Sequence, residues 1–73
     1  MKTILVIDGT NEERNLIKNI YNKLYYYIIF IDLIFYKNLN TLINEMNPFL
    51  IICESESKCL NYEGNIILFK NLI

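Results

Sequence analysis

The first apolar positions of the chain form an unbroken run, Ile4-Leu5-Val6-Ile7, closed by Asp8-Gly9. A run without polar alternation fits a strand buried on both faces and ended by a turn, the habit of strands in parallel sheets. Thr10-Asn11-Glu12-Glu13 then has the form of a capping box. The Thr10 hydroxyl can accept from the amide of Glu13, and the Glu13 carboxylate can reach back to the amide of Thr10. From here the period changes. Leu16, Ile17, Ile20 and Leu24 recur at helical spacing, with Asn15, Lys18, Asn22 and Lys23 on the other face, which predicts a helix laid against a sheet.

Tyr25 to Ile31 is aromatic and β-branched without a helical polar face, and predicts a second buried strand closing near Asp32. In Lys37 to Met46, Leu39, Leu42, Ile43 and Met46 stand at i, i+3, i+4 and i+7. Asn38 is placed to cap this second helix and Asn47-Pro48 to end it. Phe49 to Cys53 reads as a third strand, Glu54 to Lys58 as a polar loop, and Ile66 to Phe69 as a fourth strand after Glu63-Gly64-Asn65. The order β-α-β-α-β-loop-β implies an α/β fold with right-handed crossovers, a parallel sheet and helices on its faces. The third connection, Glu54 to Asn65, is close to the shortest that a parallel crossover allows and lacks a helical stripe.

Composition narrows the chemistry. The 73 residues make one domain, 1–73, with 53% hydrophobic residues to bury. Seven Lys and Arg against eight Asp and Glu, a net charge of −1, argue against a nucleic-acid binder working through phosphate charge. The chain has no His, the commonest general base and metal ligand, and its two cysteines are too few for a disulfide scaffold or a four-thiolate zinc site. The longest apolar run, Leu24 to Tyr36, is broken by Asp32 and falls short of the roughly 20 residues of a spanning helix. Thr3 to Ile7 is too short for a signal peptide. A cytoplasmic protein is therefore expected, with no membrane partner, Cys53 buried and inert, and Cys59 a reduced loop thiol.

Two phosphate-handling motifs fail on inspection. Asp8-Gly9-Thr10 is similar to the loop of haloacid-dehalogenase-like phosphatases, but Val6 stands where their nucleophilic Asp belongs. A dinucleotide site would use Asp32 on a ribose hydroxyl, yet Gly9 is alone where a glycine-rich turn is needed. The tyrosines and phenylalanines around positions 25–36 have no basic groove beside them and are expected to pack rather than stack on bases.

Ile4-Leu5-Val6-Ile7-Asp8, the capped helix containing Arg14, and Asn47-Pro48-Phe49-Leu50-Ile51-Ile52-Cys53-Glu54 together resemble the receiver domain of two-component response regulators. The resemblance implies a flavodoxin-like parallel sheet, here truncated before the fifth strand, and a residual acidic pocket of Asp8 and Glu56. Asp8 matches the first of the family's two metal-binding acids, and Gly9 replaces the second. Glu54 falls at the phosphoacceptor position, and Lys70 falls near the family's hydroxyl residue. A Glu there sits one methylene too far for in-line transfer but carries a permanent charge that imitates part of a phosphoryl group, and Lys70 is its possible ion-pair partner. Mg²⁺ wants near-octahedral oxygen ligation, which the loss at Gly9 undermines; no cofactor is expected, with Asp8 and Glu54 as the alternative metal ligands.

The function this implies is a non-catalytic pseudo-receiver, acting as an interaction or self-association module in signalling, with a signalling protein or a second copy as partner. The alternatives are a metal-dependent phosphoacceptor using Asp8, Glu54 and Glu56, or an isolated N-terminal fragment of a longer response regulator. A homodimer is expected because one helix, about 10 Å wide, spans roughly two strands about 4.8 Å apart. With only the Leu16 to Leu24 helix on one face, the third and fourth strands should there expose Phe49, Ile51, Cys53, Ile66 and Leu68 or their alternating neighbours.

Overall fold

The computed structural model describes residues 1–21, 23–59 and 61–72; Asn22, expected on the polar face of the first helix, Ile73 and the side chain of Lys58 lie outside the described residues. The elements are β1 (Lys2–Ile7), α1 (Asn11–Ile20), β2 (Tyr26–Ile31), α2 (Leu39–Met46), β3 (Leu50–Cys53) and β4 (Asn65–Leu68). Three 3-10 turns, Leu33–Phe35, Glu56–Lys58 and Phe69–Asn71, join or extend them. The four strands form one sheet in the order β2-β1-β3-β4, with every pairing parallel. This is the order of flavodoxin-like sheets through their fourth strand. Lys2 pairs with Tyr26 through to Ile7 with Ile31, Ile4 with Leu50 through to Val6 with Ile52, and Leu50 with Asn65 through to Cys53 with Leu68.

The unbroken apolar run of β1 is what a central strand covered on both faces requires, and Ile4, Leu5, Val6 and Ile7 are all buried. Leu5, Ile7, Ile31, Ile51 and Cys53 pack with Leu39 and Ile43 of α2 on one face; Ile4, Val6, Leu50 and Ile52 pack with Ile17 of α1 on the other. Both helix starts are those written in the sequence. The Thr10 hydroxyl accepts from the Glu13 amide at 3.1 Å and the Glu13 carboxylate accepts from the Thr10 amide at 2.9 Å. At α2 the Asn38 side chain accepts from the Thr41 amide at 3.1 Å. Asn47, at φ 48°, ends α2 in the left-handed conformation that Asn tolerates, with its amide on the Ile43 carbonyl.

Several boundaries shift from expectation. Helix α1 stops at Ile20 rather than Leu24, because Tyr21 takes an extended conformation and sets its ring edge-on to that of Tyr26, with centroids 5.4 Å apart. Leu24 and Tyr25 are left in an exposed turn before β2. Strand β4 begins and ends one residue earlier than expected, and Phe69 turns away into a 3-10 turn.

Among its described residues the third crossover contains no α-helix, and a compact loop does the covering. Ser55 caps the turn Glu56–Lys58, the Cys59 amide returns to the Glu56 carbonyl at 2.9 Å, and the Tyr62 hydroxyl donates to the Pro48 carbonyl at 2.8 Å. Cys59 is thereby part of the core beside Cys53, not an open loop thiol. On the α1 face, Phe69 and Leu72 fold back over the sheet beside Ile67. Leu50 and Ile52 are buried there, so the face expected to be bare at β3 is covered by the chain's own last residues.

Candidate functional site

In open parallel sheets, ligands bind beyond the carboxyl ends of the strands, at the point where the connections part to opposite sides. Here that point lies between β1 and β3, and the segments flanking it are Asp8-Gly9-Thr10 and Glu54-Ser55. Two open cavities meet there. One, of about 560 Å³, is lined by Gly9, Thr10, Glu13, Glu54, Phe69 and Lys70; the other, of about 330 Å³, by Ile7, Asp8, Leu33, Cys53, Glu54 and Ser55. Glu54 is the carboxylate common to both.

Asp8 leaves β1 at φ 62°, in the left-handed region that Asp tolerates better than most residues. Its amide continues the β1–β2 ladder to the Ile31 carbonyl at 2.8 Å, and its carboxylate accepts from the Leu33 amide at 2.9 Å. The acid therefore starts the 3-10 turn that follows β2. Arg14, one turn into α1, donates from Nε to the Asp8 carbonyl at 3.0 Å and from Nη2 to the Ile31 carbonyl at 3.2 Å and Asp32 Oδ1 at 2.8 Å. Its guanidinium lies 5.5 Å from the centroid of Phe30, and the Lys18 ammonium 5.4 Å from the same ring. Asp32, considered above as a ribose-binding acid, is the ion-pair partner of Arg14.

Gly9 follows at φ 97°. A Cβ there would lie 2.8 Å from Cζ of Phe69, so the position needs glycine for both its backbone and the ring packed on it. At the position where the resemblance to receivers calls for a second acid, the structure places a glycine under an aromatic ring.

The remaining expected site residues converge only in part. Glu54 and Lys70 both line the larger cavity and are both exposed, but among the described residues the ion pair is Arg14–Asp32, and Glu54 and Lys70 form none. The cause is register: Cys53 pairs with Leu68, so the residue beside Glu54 is Phe69, which leaves the strand and carries Lys70 into the turn beyond. Glu56 lines a separate depression with Ser57, Cys59, Tyr62 and Ile66. Among the described residues no three His, Cys, Asp or Glu side chains are grouped as a metal site. With Asp8 holding Leu33 and glycine at position 9, the crevice does not fit the oxygen set that Mg²⁺ demands.

The thiols behind the crevice are held toward their protonated form by burial. Burial pushes Cys53 up, and burial reinforced by the neighbouring Cys53 thiol, which hydrogen-bonds it, raises Cys59 to about 11. Arg14 and Phe69, the two side chains that organise this end of the sheet, were noted in the sequence only as part of a receiver-like helix and as the end of the fourth strand, and neither was expected to play this role. The signal for Arg14 is a cation one turn inside a helix that begins at a strand end; its partner lies 18 residues away. No family model, curated protein or solved structure matches the chain.

Proposed function

We propose that the chain is a non-catalytic, receiver-like module that works in signalling through self-association, without phosphoryl transfer. The observation that carries the reading is the commitment of Asp8. The acid that a working receiver would turn toward a metal holds the Leu33 amide, on a backbone further tied by Arg14. Glu54 lines both cavities, with Glu13 in one and Asp8 in the other, and among the described residues no third His, Cys, Asp or Glu joins them to complete a metal set. In this reading the protein works in the cytosol, where the buried Cys53 and Cys59 stay reduced.

The test is incubation with acetyl phosphate and Mg²⁺ followed by intact-mass spectrometry. The expected spectrum contains only the unmodified chain. A labile phosphoryl adduct that disappears in Asp8→Asn would overturn the reading and point to a metal-assisted phosphoacceptor.

A further inference from the structure

The sheet has two open edges, and they differ in kind. The edge at β4 is four residues long, starts at the exposed Asn65 and runs into the turn that carries Lys70. Charge and brevity are ordinary ways of blunting an edge. The edge at β2 is six residues, Tyr-Tyr-Ile-Ile-Phe-Ile, with no charge, no Pro and no Gly, and among the described residues it pairs on one side only, with β1. Such a strand presents a row of backbone donors and acceptors to any strand of matching character.

We infer that the outer edge of β2 pairs antiparallel with β2 of a second copy about a two-fold axis, joining two four-stranded sheets into one. The inference rests on the self-association proposed above and names its surface. Three observations choose a second copy as the occupant. The strand is uncharged, so its two-fold image meets no like charge across the join. With the axis at Ile28, Tyr26 faces Phe30 of the second copy and Tyr27 faces Ile29, the aromatic and β-branched pairs that stabilise antiparallel strands. Beyond the cations Arg14 and Lys18 set over Phe30, the surface flanking the strand carries open apolar side chains: Tyr25 is 68% exposed, Tyr27 60%, Ile34 87% and Phe35 74%. At roughly 200 Å² per aromatic side chain, the three rings alone leave on the order of 400 Å² uncovered, about half of the roughly 800 Å² that each partner gives to a stable interface. Ile34 and the outer flank of β2 are available for the rest.

Sedimentation equilibrium of the full chain across the micromolar range tests this, comparing wild type with Tyr27→Lys, Phe35→Lys and Asn65→Lys. The expected result is a wild-type dimer whose Kd rises by about tenfold or more in Tyr27→Lys and in Phe35→Lys, through lost aromatic burial and added charge, and is unchanged in Asn65→Lys. Circular dichroism confirms that each variant folds, and Phe35→Lys, outside the strand, decides the matter if Tyr27→Lys does not. A dimer weakened by Asn65→Lys and indifferent to the other two overturns the surface while leaving self-association intact. Mass that grows past the dimer overturns two-fold closure. A wild-type monomer at every concentration overturns both the surface and the self-association on which it rests.

Discussion

At position 9 a backbone requirement and a packing requirement fall on one residue. Gly9 has a positive φ, and the ring of Phe69 fills the space that a side chain would occupy. Gly9→Ala is expected to destabilise the fold by about 2 kcal/mol or more, from the left-handed backbone and the forced shift of Phe69 together. Chemical denaturation of Gly9→Ala, Phe69→Leu and the double variant separates the two: the packing share falls in the double variant and the backbone share remains. Equal costs in both backgrounds would mean that the ring does not matter. The position was legible in the sequence as a strand-ending turn, and the missing acid was legible as a departure from the receiver pattern. What fills the gap was not, because Phe69 is 60 residues further along and was expected inside β4. Arg14 shows the same limit, since its contacts to Ile31 and Asp32 are decided by how the β1 and β2 ends meet in space.

Elements were read most securely where short-range chemistry settles them. The Thr10–Glu13 box, the Asn38 cap and the left-handed Asn47 before Pro48 are local interactions, and each is found where the sequence places it. The end of α1 was misplaced because the helical stripe continues through Leu24, and only the meeting of Tyr21 with Tyr26 cuts it short. The third crossover was expected to open with a polar loop, Glu54 to Lys58, and to lack a helical stripe. Its covering role was hidden because Cys59 and Tyr62 carry it singly, with no periodic stripe.

This crossover makes stability sensitive to alkali. The folded chain holds the Cys59 proton up to about 11, above the ordinary 9.0, so between those values the unfolded chain binds fewer protons than the folded one. Stability is then full below about pH 9 and falls as pH rises toward 11, by of order 2 kcal/mol from this thiol. Denaturation at pH 8, 9.5 and 10.5 is expected to show that decline, with a shallower slope in Cys59→Ala. Tyr21 and Tyr62, also raised by burial, supply part of the remainder. An identical slope in Cys59→Ala would remove Cys59 from the account.

For the whole molecule, a parallel sheet with a core on each face follows from the alternation of β and α elements, whereas the strand order β2-β1-β3-β4 was expected only through the resemblance to receiver sheets. The apolar surface came out differently from the expectation. Phe69 and Leu72 cover the α1 face near β3, and the long uncovered apolar stretch lies on the opposite side of the sheet, at β2. No helix among the described residues is long and apolar enough to cross a membrane. The crevice between the ends of β1 and β3 has the position of a ligand site, while Asp8, the acid at its β1 side, holds the Leu33 amide of a neighbouring turn. That difference between position and chemistry is the center of the account.

Thermal melting of wild type, Asp8→Asn and Asp8→Ala, with and without about 10 mM Mg²⁺, tests it most directly. If Asp8 is a structural acceptor, Mg²⁺ leaves all three melting temperatures unchanged. Asp8→Asn, which keeps an acceptor and tolerates the left-handed backbone, then stays close to wild type, and Asp8→Ala loses about 1 to 2 kcal/mol, or roughly 4 to 16 °C in a domain of this size. The account is contradicted if Mg²⁺ raises the melting temperature of wild type alone and both substitutions stabilise the metal-free chain, the behaviour of an acid kept for a ligand.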